Sequence, residues 1–420
     1  MSPTPVLVGL SGGLDSTVLL HSLARLPTQR EAGLRAIHVH HGLHASADDW
    51  ADHCVRLCAA LGVSLRVVRV DVERGAGKGL EAAARAARYA AFAAELRAGE
   101  VLATAHHLDD QAETFLLRAL RASGPDGLAA MQEWRDFGGH RHWRPLLCLP
   151  RDELLAHAGL HDLRWIEDPS NADQSLDRNF LRLHVMPVLR QRWPHADAAL
   201  ARSAALSGDA SVLLGIEDAR ALAMAATLDP HVLRIAPLQA LPSARLARVL
   251  RLWVSNLQLS ALPGSGVHQV ATDLLGARAD ARARFVWGNA CIQRWRDLLH
   301  AGTLREPLPL AWQAHWNGAE PLALPGGGTL TLQCGAMPAT ALIAHSRQGG
   351  ERIRLPGRSH SHSLKHVLQE LGVPSWERSR LPLLSDGDGQ LLAAGDLVYS
   401  ADFDGWLREN RARLVWRDAA

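Results

Sequence analysis

The stretch "VLVGLSGGLDSTVLLHSLARL" at residues 6–26 joins an apolar run, a polar break and an amphipathic segment. The run "VLVGL" predicts a buried strand, and "DSTVLLHSLARL" predicts a helix. Between them lies "SGGLDS" at residues 11–16, with two glycines, two hydroxyls and a carboxylate. A plain turn needs only one glycine. The second glycine and its polar neighbours therefore indicate a loop that binds a ligand.

The alternation of strand and helix continues from this stretch to about residue 122. Further strands are predicted at "LRAIHVHHGL", "LRVVRVDV" and "EVLATAHH", with helical segments between and after them. Such alternation predicts an α/β fold with a doubly wound parallel sheet. Because "SGG", "HHGL" and "HHLDD" each follow a strand, we expect all three at the sheet edge where ligands bind.

The chemistry of the "SGGLDS" loop suits an anion. Gly12 and Gly13 let the backbone approach a ligand closely, and Asp15 and Ser16 begin a helix whose free N–H groups favour negative charge. The spacing is not that of a Walker A loop, since no G-x-x-x-x-G-K-[ST] occurs. The predicted anion-binding loop consists of Ser11, Gly12, Gly13, Leu14, Asp15 and Ser16.

Length and composition set broad limits. A chain of 420 residues predicts two or three domains, and no stretch is expected to be long and apolar enough to span a bilayer. The start "MSPTPV" lacks the features of a signal peptide, so we expect a cytoplasmic protein. The cysteines are few and scattered, which favours a reducing compartment without disulfides: Cys54, Cys58, Cys148, Cys291 and Cys334. The net charge of +2 means that any polyanion must be held by local basic patches.

Changes in pattern along the chain predict three domains. Residues 1–194 form the first; within it, "RWIEDPSNADQSLDRN" is predicted as a strand that leads into a polar loop. Residues 195–305 are predicted to be mainly helical, with a hairpin where Gly-Asn separates the apolar runs of "RFVWGNACIQRW". After the proline-containing linker "LREPLPLAWQ", residues 318–420 read as a small α+β domain.

Five segments together resemble one known family. The "SGGLDS" loop after a strand resembles that of the N-type ATP pyrophosphatases, the PP-loop superfamily. In order along the chain, "HVHHGL", "EAAARAARY", "ATAHHLDDQAET", "DPSNADQSLDRNFLR" and the C-terminal "GERIRLPGRSHSHSLKHVLQELGVPSWERSRLPLL" resemble the tRNA(Ile)-lysidine synthetases. The match covers residues 6–194 and about 350–400.

The resemblance implies an enzyme that uses ATP and Mg²⁺. It would adenylate the wobble cytidine of an isoleucine tRNA with the anticodon CAU and join free lysine to C2, giving lysidine, AMP and pyrophosphate. Asp15 and Asp110 would hold the metal, with Glu113 nearby, and Arg85 and Arg88 would contact ATP phosphates or the carboxylate of the amino acid. From the residues alone, "LDDQAE" is explained equally well as the acidic first turn of a helix, where negative charge is favourable. Glu81 and Arg85 are likewise explained as an ordinary i,i+4 ion pair on a helix.

The implied partners are tRNA and free L-lysine, without a membrane. A homodimer is left open. The polar loop and the basic C-terminal segment are the candidate tRNA contacts: Arg178, Asn179, Arg182, Arg352, Arg354, Arg358, Lys365 and Arg378. The loop is also readable as a surface cap of the next helix.

Four alternatives compete with this interpretation. An amidating synthetase of a small molecule would use the same loop but would not need the polar loop or the basic segment. A tRNA thiolase would need paired or cluster-binding cysteines, and no C-x-x-C occurs. A tRNA-binding scaffold without catalysis would not need intact loop residues and carboxylates. Finally, zinc is suggested by a nearby group of possible ligands, but the C-x-x-C spacing of common zinc sites is absent. The group consists of His38, His40, His41, Cys54 and Cys58.

Overall fold

The computed structural model describes residues 4–72, 80–276, 283–333 and 341–417. The chain forms two compact units, residues 1–216 and 217–420, and the division between them falls inside the helix Ala196–Ala225. The three domains drawn from the sequence stay a prediction. Cys334 lies outside the described residues.

The first unit is built on a six-stranded sheet. Its strands are β1 Val6–Gly9, β2 Leu34–His40, β3 Ser64–Arg69, β4 Val101–Ala103, β5 Trp134–Phe137 and β6 His140–Trp143. Its helices are α1 Leu14–Ala24, α2 Pro27–Ala32, α3 Ala47–Leu61, α4 Leu80–Glu95, α5 Leu108–Leu120, α6 Pro125–Leu128, α7 Arg151–Leu160, α8 Asp177–Phe180 and α9 Met186–Arg192, followed by α10 Ala196–Ala225. A 3₁₀ turn covers Pro169–Ala172, and a π turn covers Leu181–Val185.

The sheet confirms the predicted doubly wound fold. The strand order is β3-β2-β1-β4-β6-β5, and every neighbouring pair is parallel except β5 with β6. Apolar clusters lie on both faces of the central strand: Val6 and Val8 pack with α1, α3 and α7, whereas Leu7 packs with Phe92 of α4. Burial on both faces explains why "VLVGL" is an almost continuous apolar run.

Two local predictions in this unit were wrong or incomplete. The segment "RWIEDP" is not a strand; it crosses the glycine loop and makes one backbone hydrogen bond there, from Ile166 N–H to Gly12 O at 2.9 Å. The hairpin β5–β6 was missed because its residues are largely polar. Its turn at Gly138 and Gly139 has φ angles of +54° and +83°, which suits a tight two-residue turn.

The second unit carries three larger sheets and several short helices. Its strands are β7 Val232–Arg234, β8 Arg284–Trp287, β9 Ala290–Trp295, β10 Leu298–Thr303, β11 Gln313–Trp316, β12 Leu322–Ala323, β13 Thr329–Gln333, β14 Leu342–His345, β15 Arg352–Ile353, β16 His362–Ser363, β17 Leu383–Ser385, β18 Leu391–Ala394, β19 Val398–Tyr399 and β20 Arg413–Arg417. Its helices are α11 Ile235–Gln239, α12 Ser243–Asn256, α13 Gly264–Gln269, a π turn Val270–Leu274, α14 Leu364–Glu370, α15 Ser375–Arg378 and α16 Ala401–Glu409.

The sheet orders are β7-β10-β9-β8, β11-β14-β17-β18-β19 and β12-β13-β20, with the short pair β15-β16 beside them. The hairpin predicted at Gly288-Asn289 is confirmed, because β8 and β9 pair antiparallel with Trp287 opposite Ala290. The region predicted to be mainly helical thus also contains a four-stranded sheet.

One helix departs from the expectation that no segment could span a membrane. Helix α10 is long and apolar enough to cross a membrane, judged by its length and composition, and little of its most apolar stretch is buried. A single helix of this kind is weak support for a membrane span, and charged residues such as Asp197, Arg202 and Asp209 interrupt its first half.

Candidate active site

The glycine loop between β1 and α1 is shaped by one non-local contact. Gly12 has φ +86°, a conformation that side chains rarely adopt, and its carbonyl accepts the N–H of Ile166. A Cβ at Gly12 would lie 2.6 Å from Cδ1 of Ile166 and 3.0 Å from Sγ of Cys54. The first glycine is therefore required both by the backbone angle and by the chain that passes over it.

The two serines close the loop. The Ser16 hydroxyl accepts the N–H of Ser11 at 3.2 Å, the Ser11 hydroxyl accepts the N–H of Gly13 at 3.3 Å, and the two Oγ atoms lie 3.0 Å apart. Gly13 is the N-cap of α1, with no side-chain cap. Leu14 is buried in the apolar core and anchors the helix start. The hydroxyls and N–H groups at the helix N-terminus form the kind of cradle that binds phosphate.

A buried histidine joins the two predicted metal ligands. His107 is the N-cap of α5, and its Nε2 lies 3.8 Å from Oδ2 of Asp15 and 3.6 Å from Oδ2 of Asp110. The structure therefore brings together Asp15 at the start of α1 and Asp110 at the start of α5, although 95 residues separate them in sequence. The Oδ1 atom of Asp15 is buried and has no hydrogen-bond partner among the described residues.

The two predicted metal ligands, Asp15 and Asp110, have pKa values that are shifted in opposite directions. Burial raises the pKa of Asp15 above its ordinary value. The nearby Asp110 carboxylate raises this pKa further, whereas His107 lowers it. Burial would also raise the pKa of Asp110, but His107 and Arg178 outweigh it and hold that pKa below its usual range. Burial lowers the pKa of His107, yet Asp109 and Asp110 raise it overall. An unpartnered buried carboxylate oxygen beside a second carboxylate fits a hard divalent cation such as Mg²⁺.

Glu113 lies one helical turn beyond Asp110 and is fully engaged. Its carboxylate is 1 % exposed and accepts from Nε of Arg178 at 2.8 Å and from Nε of Arg182 at 2.7 Å. The same two guanidinium groups reach Oδ1 of Asp110, at 3.1 and 3.3 Å. Two arginines predicted as tRNA contacts thus sit directly on the predicted catalytic carboxylates.

Asn179 holds the polar loop rather than facing outward. Its side chain is buried and donates to the carbonyls of Ser170 and Asp173, both at 2.9 Å. Asp168 caps the 3₁₀ turn of this loop by accepting the N–H of Ser170 at 2.8 Å. The asparagine therefore fixes the loop that runs beside the carboxylates, and a direct tRNA contact by Asn179 is not supported by this placement.

A cavity of about 800 Å³ adjoins the glycine loop. Among the side chains that line it are Ser11, Asp15, His41, Arg85, His106 and Asp168. Arg85 is exposed, and its guanidinium lies 5.0 Å from the ring centre of Tyr89. A cavity of this size is typical of sites for small molecules.

Comparison with known proteins shows to which family this chain is similar. A PP-loop domain family matches residues 2–189, a TilS substrate binding domain family matches residues 233–300, and a TilS substrate C-terminal domain family matches residues 342–416. The chain is 56 % identical over 420 residues to the tRNA(Ile)-lysidine synthase of Xanthomonas campestris pv. campestris (strain 8004), with 100 % of this chain and 96 % of that protein covered.

More distant relatives carry the same name. The tRNA(Ile)-lysidine synthase of Xylella fastidiosa (strain 9a5c) is 51 % identical over 98 % of this chain and 95 % of its own length. That of Escherichia coli O157:H7 is 43 % identical over 98 % of this chain and 96 % of its own length. The chain belongs to the tRNA(Ile)-lysidine synthase family. The resemblance drawn from the five sequence segments is confirmed, and so is the use of ATP that the PP-loop domain implies.

Two cysteines of this tRNA(Ile)-lysidine synthase family member, Cys54 and Cys58, do not resemble a sulfur-transfer pair. Cys54 and Cys58 are buried in α3, and burial raises their pKa values to about 12 and about 11, so both stay protonated thiols. His38 is buried as well; its Nδ1 donates to Leu10 O at 2.9 Å, and the same nitrogen lies 3.4 Å from Cys54 Sγ. His40 contacts Asp48 at 3.2 Å. These contacts describe a packed core histidine and an ion pair, and they do not support zinc at this position.

Sequence reasoning missed a polar chain beneath the cavity. Thr104 Oγ1 lies 2.8 Å from Nδ1 of His106 and 2.7 Å from Nε2 of His142, whose Nδ1 lies 3.2 Å from Nη2 of Arg144. Burial lowers the pKa values of both histidines to about 3, which keeps them neutral. His142 lies in strand β6 and Arg144 follows it. Because this strand was not predicted, nothing in the sequence indicated that the two residues lie near the site.

The C-terminal cations differ in what they contact. Arg358 and Lys365 are exposed. Arg352 binds Ser361, with Nε to Oγ at 2.9 Å, and Arg354 binds both oxygens of Asp402 at 2.7 Å. Arg378 is only 8 % exposed; it donates to Val373 O at 2.7 Å and lies over the ring of Trp295. Arg378 is thus packed within the second unit, and its predicted contact with tRNA stays a prediction.

Proposed function

We propose that this enzyme joins free L-lysine to C2 of the wobble cytidine in an isoleucine tRNA with the anticodon CAU. The cytidine O2 attacks the α-phosphate of ATP and pyrophosphate leaves; the ε-amine of lysine then attacks C2 and AMP leaves. Activation comes first because an oxide is a far poorer leaving group than AMP. The observation that carries the proposal is the meeting of the glycine loop, Asp15 and Asp110 at one sheet edge, in a chain whose full length matches this family.

The loop and the carboxylates have separate roles. Ser11, Gly12, Gly13 and Ser16 would hold the pyrophosphate through hydroxyl and backbone N–H groups. Asp15 and Asp110 would hold Mg²⁺, which neutralises charge on the phosphates when bound. The buried, unpartnered Oδ1 of Asp15 supports this assignment, because such an oxygen is costly unless a cation or donor reaches it.

The amine of lysine must lose a proton before it attacks. With a reference pKa near 10.4, deprotonation at pH 7 costs roughly 4.6 kcal/mol. The proposed acceptor is one of two carboxylates, Asp110 or Glu113, and both carry arginines in the ligand-free protein. A lysine ammonium that reaches them therefore has to replace part of that pairing. Arg85, exposed at the cavity, is proposed to bind the lysine carboxylate or an ATP phosphate.

The target base needs little preparation. A cytidine in an anticodon loop is already unpaired, so moving it into a pocket costs less than opening a duplex. Arg178 and Arg182 border the carboxylates, and Arg358 and Lys365 are exposed cations of the second unit. We propose that these groups contact tRNA phosphates and that the reaction takes place in the cytoplasm.

The test is incorporation of labelled lysine. The purified protein is incubated with ATP, Mg²⁺, radiolabelled lysine and the CAU-anticodon isoleucine tRNA, and label is counted in acid-precipitated RNA. A matched control tRNA carries uridine in place of the wobble cytidine. We expect label in the first tRNA and none in the second. AMP release without label would reject lysine as the substrate and favour a thiolase or an amidating synthetase.

A further inference from the structure

Three histidines outside the active site converge between two helices. His21 lies on α1, His157 lies on α7, and His161 is the C-cap of α7. Their rings are in mutual contact, with centroids 5.2 Å apart for His21–His157, 4.7 Å for His21–His161 and 4.6 Å for His157–His161. One nitrogen from each ring can be chosen so that all three lie within 4.8 Å of one another.

The spacing is close to that of a metal site. Tetrahedral zinc with Zn–N bonds of 2.0–2.1 Å separates its ligand nitrogens by roughly 3.3 Å. Nδ1 of His21 and Nε2 of His157 form a hydrogen bond at 3.0 Å; a metal would replace the shared proton with little change in the separation of the two nitrogens. His157 and His161 are four residues apart and share one face of α7, which places the third ring beside the first two.

The surroundings leave the rings able to act as ligands. His21 is 6 % exposed, while His157 and His161 are half-buried, so the cluster is lined by protein but open on one side to solvent. Burial and the neighbouring imidazoles lower the pKa values of His21 and His157, and a neutral imidazole is the form that binds a metal. The charged group that faces them is Arg25, at the end of α1, whose side chain is exposed and therefore screened by water.

We propose that His21, His157 and His161 form a site for a divalent transition metal of the zinc class, with water as the fourth ligand. Three imidazoles are ligands that select such metals over Mg²⁺. The site lies about 9 Å along α1 from Asp15, given six residues at about 1.5 Å each. It is therefore separate from the carboxylates of the active site.

The metal would clamp two helices that begin at the active site. Helix α1 begins at the glycine loop, and α7 begins at Arg151, whose N–H donates to Oδ1 of Asp109 at 3.0 Å. Val18 of α1 and Leu154 and Ala158 of α7 already belong to one apolar cluster. A metal bound near the far ends of both helices adds a fixed link to this packing and holds their N-terminal ends in register.

The test uses Co²⁺ as a spectroscopic probe on the full chain, with excess Mg²⁺ present to occupy oxygen sites. The test variant is the double substitution His157→Gln/His161→Gln. The matched control is His195→Gln/His268→Gln, which removes two exposed histidines elsewhere. We expect the wild type and the control to bind one equivalent of Co²⁺ with the visible bands of a tetrahedral ion, and Zn²⁺ to displace it. We expect the test variant to bind at least about 100-fold more weakly.

Thermal melting separates loss of the site from loss of the fold. Zn²⁺ should raise the Tm of the wild type and the control, because a ligand of the folded state stabilises it, and should leave the Tm of the test variant unchanged. The proposal is overturned if the wild type binds no stoichiometric Co²⁺, a result that needs no variant. It is also overturned if the test variant melts cooperatively and binds Co²⁺ as tightly as the control does.

Discussion

Neighbouring carboxylates at the starts of α1 and α5 are held in different electrostatic states. Asp15 keeps one oxygen buried without a partner, and its pKa is raised. Asp110 and Glu113 are neutralised by Arg178 and Arg182. Asp109, next to Asp110 in sequence, points to different groups: its Oδ1 accepts Arg151 N–H at 3.0 Å and its Oδ2 pairs with Arg190 at 2.7 Å. We therefore expect substitution of Asp15 to affect chemistry and substitution of Asp109 to affect stability.

Asp15→Ala should stop turnover while tRNA binding persists. The substitution removes the carboxylate proposed to hold the metal, and loss of one group that stabilises transition-state charge costs about 10²–10³ in rate. The measurement is lysine incorporation beside a filter-binding Kd for tRNA. Asp209→Ala, an exposed carboxylate on α10, is the control and should behave as wild type. Near-normal turnover of Asp15→Ala would overturn the metal assignment.

Asp109→Asn should destabilise the protein in a pH-dependent way. Burial opposes the shift, but the adjacent His107 and the hydrogen bond from the Arg151 N–H lower the pKa of Asp109 to about 2, from 3.8. A depressed carboxyl pKa contributes stability above pH 3.8 that is lost as pH falls toward 2. The difference in unfolding free energy between wild type and variant should be about 2 kcal/mol at pH 7 and about half of that at pH 3.

Urea titrations of wild type and Asp109→Asn at both pH values measure that difference. Asp162→Asn, in the turn after α7, is measured in parallel as a carboxylate substitution away from the active site. A difference for Asp109→Asn that stays constant between pH 7 and pH 3 would contradict the assigned pKa.

At the scale of elements, helices α5 and α8 are joined by ion pairs of contrasting burial. Inside, Arg178 of α8 and Arg182 of the π turn that follows it bind Glu113 of α5, which is almost fully buried. Outside, Arg121 at the end of α5 binds Asp177 at the start of α8, and these side chains are 67 % and 75 % exposed. The same two elements thus carry a buried and an exposed pair, and burial is expected to decide how strongly each pair contributes to stability.

A double-mutant cycle on Glu113 and Arg178 should give a coupling energy above about 1 kcal/mol. Arg178→Gln leaves the buried Glu113 with Arg182 alone, and Glu113→Gln leaves Arg178 with Asp110 alone, whereas the double substitution removes both members of the pair. The matched cycle on Arg121 and Asp177 should give about 0–1 kcal/mol, because water screens exposed pairs. Equal coupling energies in the two cycles, measured by urea unfolding, would show that burial does not control these contacts.

At the scale of the whole molecule, the small net charge of +2 conceals a local surplus of exposed cations. Arg358 and Lys365 are exposed in the second unit, and Arg352 and Arg354 are also at the surface but engaged with Ser361 and Asp402. Phosphate contacts from such residues carry affinity without reading sequence, and their contribution depends strongly on salt.

Lys365→Ala should weaken tRNA binding and leave the KM for ATP unchanged. Losing one phosphate contact should reduce the steepness of log Kd against log salt concentration by slightly less than 1. Arg408→Ala is the control, since Arg408 is exposed but lies outside the predicted tRNA-binding set and pairs with Asp404 at 2.9 Å. If both variants show the wild-type salt dependence, Lys365 does not contact the tRNA backbone.

The sequence alone determined the α/β sheet, the anion-binding loop and the family. These three features are visible in short stretches of sequence. Apolar runs and helical periods indicate which faces are buried, and the six residues of "SGGLDS" indicate the chemistry of the loop. The same reasoning placed Asp15 and Asp110 at one sheet edge, because the carboxyl ends of parallel strands share an edge.

Only the tertiary structure decided which partners those residues meet. Ile166 lies over Gly12, Arg178 and Arg182 lie on Glu113, and His157 lies on His21, in each case across more than 60 residues of sequence. The strand predicted at "RWIEDP" was wrong, because periodicity describes burial within an element and does not show where the chain returns. Contacts of that kind depend on the path of the whole chain and on how its units of structure pack.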